Sequence, residues 1–127
     1  MYLLDTCTLL WWTLDRSKLS KKSLAAIREV SEDSLSISSI SLWEIAVKVN
    51  RKTLSLGVKF EQFYENLRDS QIVFHDVDDE IWVKNAFLKW DHRDPVDRTI
   101  VSTALIYDLT VLTSDREIRK FYDRTIW

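Results

Sequence analysis

Four acidic residues far apart in the chain, Asp5, Glu44, Asp97 and Asp115, stand where apolar runs end or helical patterns begin. Asp5 closes the run Met1-Tyr2-Leu3-Leu4, and Asp115 closes Leu112-Thr113-Ser114. Carboxylates gathered in one pocket cannot all stay ionised, because like charges raise one another's pKa. A divalent cation resolves that conflict, and Mg²⁺ or Mn²⁺ suits hard oxygen ligands while keeping water in its shell. Such a metal activates a water as nucleophile and neutralises charge on a phosphate, so no Ser, Cys or His nucleophile is required. The chemistry indicated is metal-dependent hydrolysis of a phosphodiester.

Each acid also has a purely structural use. Asp5 and Asp115 can each cap a following helix, and Asp97, in a first helical turn, gains from the helix dipole. Glu44 lies inside Ile40-Ser41-Leu42-Trp43-Glu44-Ile45-Ala46-Val47, where an unpaired carboxylate is costly and Lys48, four residues on, is an available partner. Asp94 precedes Pro95 and reads as an N-cap with Pro at the first helical position, so it is placed outside the metal shell. Arg98 can grip a phosphate bidentately or pair with a neighbouring acid. Thr6 and Thr113 can orient ligating carboxylates by hydrogen bonds or serve as turn residues. His75 and His92 are given no catalytic role.

The elements that must position these residues follow from periodicity. Strand-like runs near 2–5, 35–38, 71–75, 110–113 and 125–127 alternate with helix-period segments, the pattern of an α/β fold with a mainly parallel sheet flanked by helices. Ser20 can cap a helix over 21–31, Ser41 and Glu44 have capping-box spacing, Asp78 can cap 79–90, and Asp94-Pro95 opens the next helix. Gly57 marks a break between two helices. Ligands of open parallel sheets bind beyond the carboxyl ends of the strands, where Asp5 and Asp115 fall.

The 127 residues fit one domain, 1–127, long enough to bury roughly two thirds of the unfolded surface. With 46% hydrophobic and 30% charged residues, one Gly and one Pro, neither disorder nor a turn-rich all-β fold is indicated. Cys7 is the lone cysteine, so no intramolecular disulfide or cysteine zinc site can form, which suits a reducing cytoplasm. No secretory signal or membrane-length apolar run is seen. A net charge of −2 argues against broad electrostatic binding of nucleic acid but permits a local basic rim. Arg16, Lys18, Lys21 and Lys22, with Lys48, Arg51 and Lys52, are candidates for that rim, and Trp11 and Trp12 can stack on unpaired bases or pack in the core.

Leu3-Leu4-Asp5-Thr6-Cys7-Thr8-Leu9-Leu10-Trp11, Ser39-Ile40-Ser41-Leu42-Trp43-Glu44-Ile45, His92-Arg93-Asp94-Pro95-Val96-Asp97-Arg98 and Leu112-Thr113-Ser114-Asp115 resemble, in order, the four motif blocks of PIN-domain proteins. More narrowly they are similar to VapC-like toxin ribonucleases. The resemblance implies a PIN-like domain, and an endoribonuclease using Mg²⁺ or Mn²⁺ held by Asp5 and Asp97, with Glu44 and Asp115 completing the acidic quartet. It also implies an RNA substrate, a small antitoxin partner laid over the active-site groove, and a homodimer. Cys7 replaces a frequent His and Val96 a usual Phe, while Thr99 to Ala104 is more polar than the common pattern. A haloacid-dehalogenase-like phosphatase would need a second acid where Cys7 stands. A catalytically silent PIN-like module that binds RNA or protein is the other reading.

Overall fold

Short strand-forming segments alternate with helices; the three central strands are largely buried, and the two edge strands are half-buried. In the computed structural model, which describes residues 1–127, β1 (Tyr2–Leu4) leads into α1 (Thr6–Leu14) and α2 (Lys21–Arg28). There follow β2 (Leu35–Ser38), α3 (Ser39–Asn50), α4 (Phe60–Asp69), β3 (Val73–His75) and α5 (Asp79–Phe87). α6 (Pro95–Tyr107), β4 (Thr110–Leu112), α7 (Arg116–Phe121) and β5 (Thr125–Ile126) complete the chain. The sheet has five strands in the order β3-β2-β1-β4-β5, and every pairing is parallel. The expected α/β class is therefore observed, with the sheet wholly rather than mainly parallel.

Side-chain alternation divides the core. Leu4, Leu35, Ile37 and Leu112 point to the face covered by α1, α2, the Phe63 and Leu67 side of α4 and the Ile45 side of α3. Leu3 and Val111 point the other way, onto Val96, Ile100, Val101 and Ala104 of α6 and Ile118 of α7. Leu3, Leu4, Ile37, Val111 and Leu112 are fully buried. Burying each such side chain contributes about 1.5–3 kcal/mol, which is why strands this short persist.

Register fixes what comes next. Leu4 is level with Ile37 and Leu112, so Asp5, Ser38 and Thr113 emerge side by side at the carboxyl edge of the sheet. The Asp5 amide still donates to the Leu112 carbonyl, at 3.3 Å. Helices α1 and α3 start from that same edge, which delivers their first turns to one place.

Some boundaries differ from expectation, each for a local reason. The capping-box pairing of Ser41 with Glu44 does not form, because Ser38 is the N-cap of α3 and Ser41 lies buried in its first turn. α2 stops at Arg28 rather than 31, and Ser31 opens a short 3₁₀ turn that leads to β2. α5 ends at Phe87 rather than 90, where Leu88 leaves helical geometry and the freed carbonyls find another donor, described below. Gly57 sits in the link between α3 and α4 with φ +73°, a conformation that favours glycine.

Candidate active site

The carboxyl edge of the sheet opens into a cleft of about 220 Å³ lined by Asp5, Glu44, Asp94, Asp97 and Asp115, with Thr6, Cys7, Lys48 and Ser114. All four acids of the sequence reading meet there, from β1, α3, α6 and the turn after β4. Asp94, which the sequence reading set aside, joins them.

Asp5 is only 6% exposed. One carboxylate oxygen accepts the Thr8 amide at 2.7 Å, capping α1, and the other accepts the Thr113 hydroxyl. Capping and site membership are thus combined in one side chain, as each carboxylate oxygen retains a further lone pair. Burial pushes the Asp5 carboxyl upward in pKa, opposed by the Thr113 and Thr8 hydrogen bonds. Thr113 is itself buried and its hydroxyl oxygen accepts the Asp115 amide at 2.9 Å, so one threonine couples two acids of the cleft. Asp115 in turn caps α7 through the Ile118 amide at 2.8 Å.

Asp97 stands in the first turn of α6, which Asp94 caps through the Val96 amide at 2.9 Å. Burial raises its pKa to about 6, while the hydrogen bond from His92 works in the opposite sense. His92 Nε2 lies 2.7 Å from Asp97 Oδ2. Ligand atoms of His92, Asp94 and Asp97 lie within 4.8 Å of one another, a grouping able to hold a metal ion. Glu44 is half-buried and has Lys48 Nζ at 3.9 Å, the partner weighed from sequence.

This donor set fits a divalent cation of the Mg²⁺ or Mn²⁺ kind. The cleft offers hard carboxylate oxygens from five acids against one lysine, and two of those acids are held away from water where their charge is least tolerated.

Two assignments from sequence require correction. Arg98 was expected on a phosphate, with a salt bridge to a neighbouring acid as the other option, and its guanidinium does neither. It donates to the carbonyls of Trp90 at 2.7 Å, His92 at 3.1 Å and Leu88 at 3.2 Å, to the Asn85 carbonyl, and through Nε to Asn85 Oδ1 at 3.3 Å. Those carbonyls belong to the end of α5 and the loop beyond it, where no helix supplies donors. Thr6 does not hydrogen-bond to any acid of the cleft either, because its hydroxyl donates to Ser41 Oγ at 3.0 Å and fastens α1 to α3. Thr113 does reach Asp5.

His92 is the contact that sequence reasoning missed. Its place depends on the loop gripped by Arg98 and on stacking with Trp90, whose ring also stacks on Phe121 at 4.6 Å. The available signal was Asp94 and Asp97, three apart across a helix start and therefore on one face. His75, given no role, lies against Tyr107 with ring centroids 4.4 Å apart and lines none of the acidic cleft. Trp12 is core and Trp11 packs on Trp127, so neither is free as a stacking platform.

The family model described as PIN domain matches residues 2–124. Among curated proteins, a protein named Ribonuclease VapC22, from Mycobacterium tuberculosis, is 26% identical over 121 residues, covering 92% of this chain and 88% of the relative. Among solved structures, a toxin–antitoxin complex from Klebsiella pneumoniae aligns with TM-score 0.71 and 16% identity, over 100% of this chain and 97% of the other. VapBC2 from Rickettsia felis, bound to a promoter DNA fragment, gives TM-score 0.68 and 17% identity over 99% and 96%. FitAcB from Neisseria gonorrhoeae gives 0.66 and 20% over 100% and 96%.

Proposed function

On the footing that the chain belongs to the PIN-domain family, we propose that it is an Mg²⁺- or Mn²⁺-dependent endoribonuclease, the toxin of a type II toxin–antitoxin pair acting in the cytoplasm. The observation that carries this reading is the convergence of Asp5, Glu44, Asp97 and Asp115 on one cleft. Likeness to the mycobacterial protein named as a ribonuclease and to toxin–antitoxin complexes supports it.

Asp5 and Asp97 would hold the cation, with Glu44 and Asp115 binding a second one or orienting water, and Asp94 and His92 standing close enough to Asp97 to share the load. When bound, the cation supplies charge neutralisation at the phosphate and lowers the pKa of water. The remaining work falls to the chain. Thr113 fixes the Asp5 carboxylate, and His92 fixes one oxygen of Asp97. Lys48, beside Glu44 and 49% exposed, offers a point charge to substrate phosphate. Cys7 faces the cleft as a thiol whose pKa is raised by burial and then by Asp5, which suits an inert wall rather than a nucleophile.

The antitoxin segment is placed over the acidic cleft of Asp5, Glu44, Asp97 and Asp115, a reading supported by likeness to toxin–antitoxin complexes. Self-association is supported by Trp43, Trp82, Val83 and Phe87, each at least 47% exposed.

The test is cleavage of total cellular RNA by purified, antitoxin-free protein in Mg²⁺ or Mn²⁺, beside EDTA and Asp97→Asn controls. Discrete fragments that vanish in both controls are expected. Metal-loaded protein that binds RNA without cutting it would instead establish the catalytically silent module.

A further inference from the structure

The chain has a net charge of −2, yet one cleft is wholly cationic. Arg116, Arg119, Lys120 and Thr125 line a hollow of about 320 Å³ between α7 and β5, with no acid and no apolar residue in its wall. Arg116, Arg119 and Lys120 are spaced i, i+3, i+4, so a single face of α7 presents all of them. The opposite side of that helix is committed to the core through Ile118.

Such a face has a cost. Like charges three and four apart oppose helix formation, and the ordinary remedy is a facing acid. Lys120 has Glu117 at 3.2 Å, but Arg116 and Arg119 make none of the ion pairs found in the chain. Of the cations near the acidic cleft, Arg98 is bound to backbone carbonyls, whereas Lys48 beside Glu44 and the exposed Arg93 beside Asp94 stand as single charges on the other side of the site. The hollow gathers two guanidinium groups that make no ion pair, beginning one residue after Asp115.

We propose that this hollow is a backbone subsite for single-stranded RNA, in which Arg116, Arg119 and Lys120 take phosphodiester groups beyond the scissile one and Thr125 adds a hydroxyl contact. Guanidinium groups match phosphate oxygens bidentately, whereas an all-polar wall offers nothing for a base to stack on. The subsite therefore supplies affinity and strand direction without reading sequence. A strand whose scissile phosphate lies over the acids passes the start of α7 and follows the edge strand β5, away from the crowded α3 and α6 side. This inference rests on the ribonuclease reading.

The test compares wild type with Arg116→Gln/Arg119→Gln/Lys120→Gln, and with Arg28→Gln/Lys59→Gln/Lys84→Gln, exposed cations that line neither the hollow nor the acidic cleft, as control. Binding of a single-stranded oligoribonucleotide is followed by fluorescence anisotropy in Mg²⁺ across a salt series, each set carried in an Asp97→Asn background to prevent turnover. The α7 variant is expected to bind about tenfold more weakly, with the slope of log K against log salt shallower by about 2, near 0.7 per lost phosphate contact. The Arg28/Lys59/Lys84 control should keep the wild-type slope. In active protein, the α7 changes should raise KM on the long oligonucleotide and leave kcat unaltered, and leave cleavage of a dinucleotide, too short to reach the hollow, unchanged. A purely structural defect would lower both. Equal affinity and equal slope in wild type and α7 variant, with wild type still cutting RNA, would overturn the subsite alone. Failure of wild type to bind or cut RNA would overturn the ribonuclease reading and the subsite with it.

Discussion

Asp5 and Asp97 carry opposing demands, since both are removed from water and both are wanted as anions. Thr113 eases this at Asp5, so Thr113→Val is expected to leave a buried carboxylate oxygen and the Asp115 amide without partners, costing about 1–3 kcal/mol of stability. Denaturant melts of the metal-free protein would measure that. Activity should fall about 10–100-fold, as for other groups that orient a ligand, and Thr113→Ser should restore most of it. Asp97 gives a pH prediction with a definite sign. Its pKa is raised from 3.8 to about 6, so the native state binds a proton more tightly than the unfolded chain. The stability this contributes is complete below the unfolded value and is lost as pH rises through about 6. Metal-free wild type, compared with Asp97→Asn by thermal melts at several pH values, should therefore lose relative stability over that interval. A relative stability that stayed flat across it would show that the carboxyl is solvated or already paired. Asp5, Asp97 and Asp115 were legible as candidates because each punctuates a strand end or helix start, and Glu44 because a carboxylate stands among the apolar residues of α3. His92 was not, because nothing in its sequence neighbourhood says that a loop will fold back onto Asp97.

The element that most depends on one residue is the α5–α6 connection. Its residues 88–94 have few backbone partners of their own, and the Arg98 guanidinium satisfies carbonyls from Asn85, Leu88, Trp90 and His92 together. Arg98→Ala is expected to destabilise the fold by about 2–3 kcal/mol and to speed amide hydrogen exchange across 88–94, with α6 beyond its first turn little changed. Arg98→Lys should recover little, because an ammonium cannot present a planar fork of donors to several carbonyls. Mn²⁺ affinity should weaken in both variants, since His92 and the entry to α6 would shift. From sequence, an arginine beside a metal-ligand candidate suggests phosphate binding. Only the bent path of the chain reveals that the nearer anions are carbonyl dipoles. The same distinction explains α3, where Ser38 and Ser41 are equally good caps by type, and burial of Ser41 against Thr6 decides for Ser38.

At the scale of the whole molecule, one parallel sheet with helices on both faces brings together residues more than a hundred positions apart. Asp5 and Thr113 touch because Leu4 and Leu112 are in register. No helix is long and apolar enough to cross a membrane. Binding of a divalent cation to the native state alone should raise the melting temperature, by an amount set by RT ln(1 + [metal]/Kd). Because the cation competes with a proton on Asp97, the gain from Mn²⁺ should be larger at pH 7.5 than at pH 5, and calorimetry below about pH 6 should register proton release on binding. A melting temperature indifferent to Mn²⁺ at both values would mean that the acidic cleft holds no cation.

The strand and helix alternation and the placing of Asp5, Asp97 and Asp115 at element boundaries, with Glu44 on the helix after the second strand, are written in local pattern, and the sequence by itself determined them. Hydrophobic period and capping chemistry act over a few residues and need no knowledge of the rest of the chain. The tertiary structure decided the strand order, the register that sets Asp5 against Thr113, the seat of His92, the engagement of Arg98 and the free cationic face of α7. These depend on which distant groups arrive at the same place. A guanidinium or an imidazole takes whichever partner is nearest in space, and that distance is fixed only when both sides of the sheet have packed.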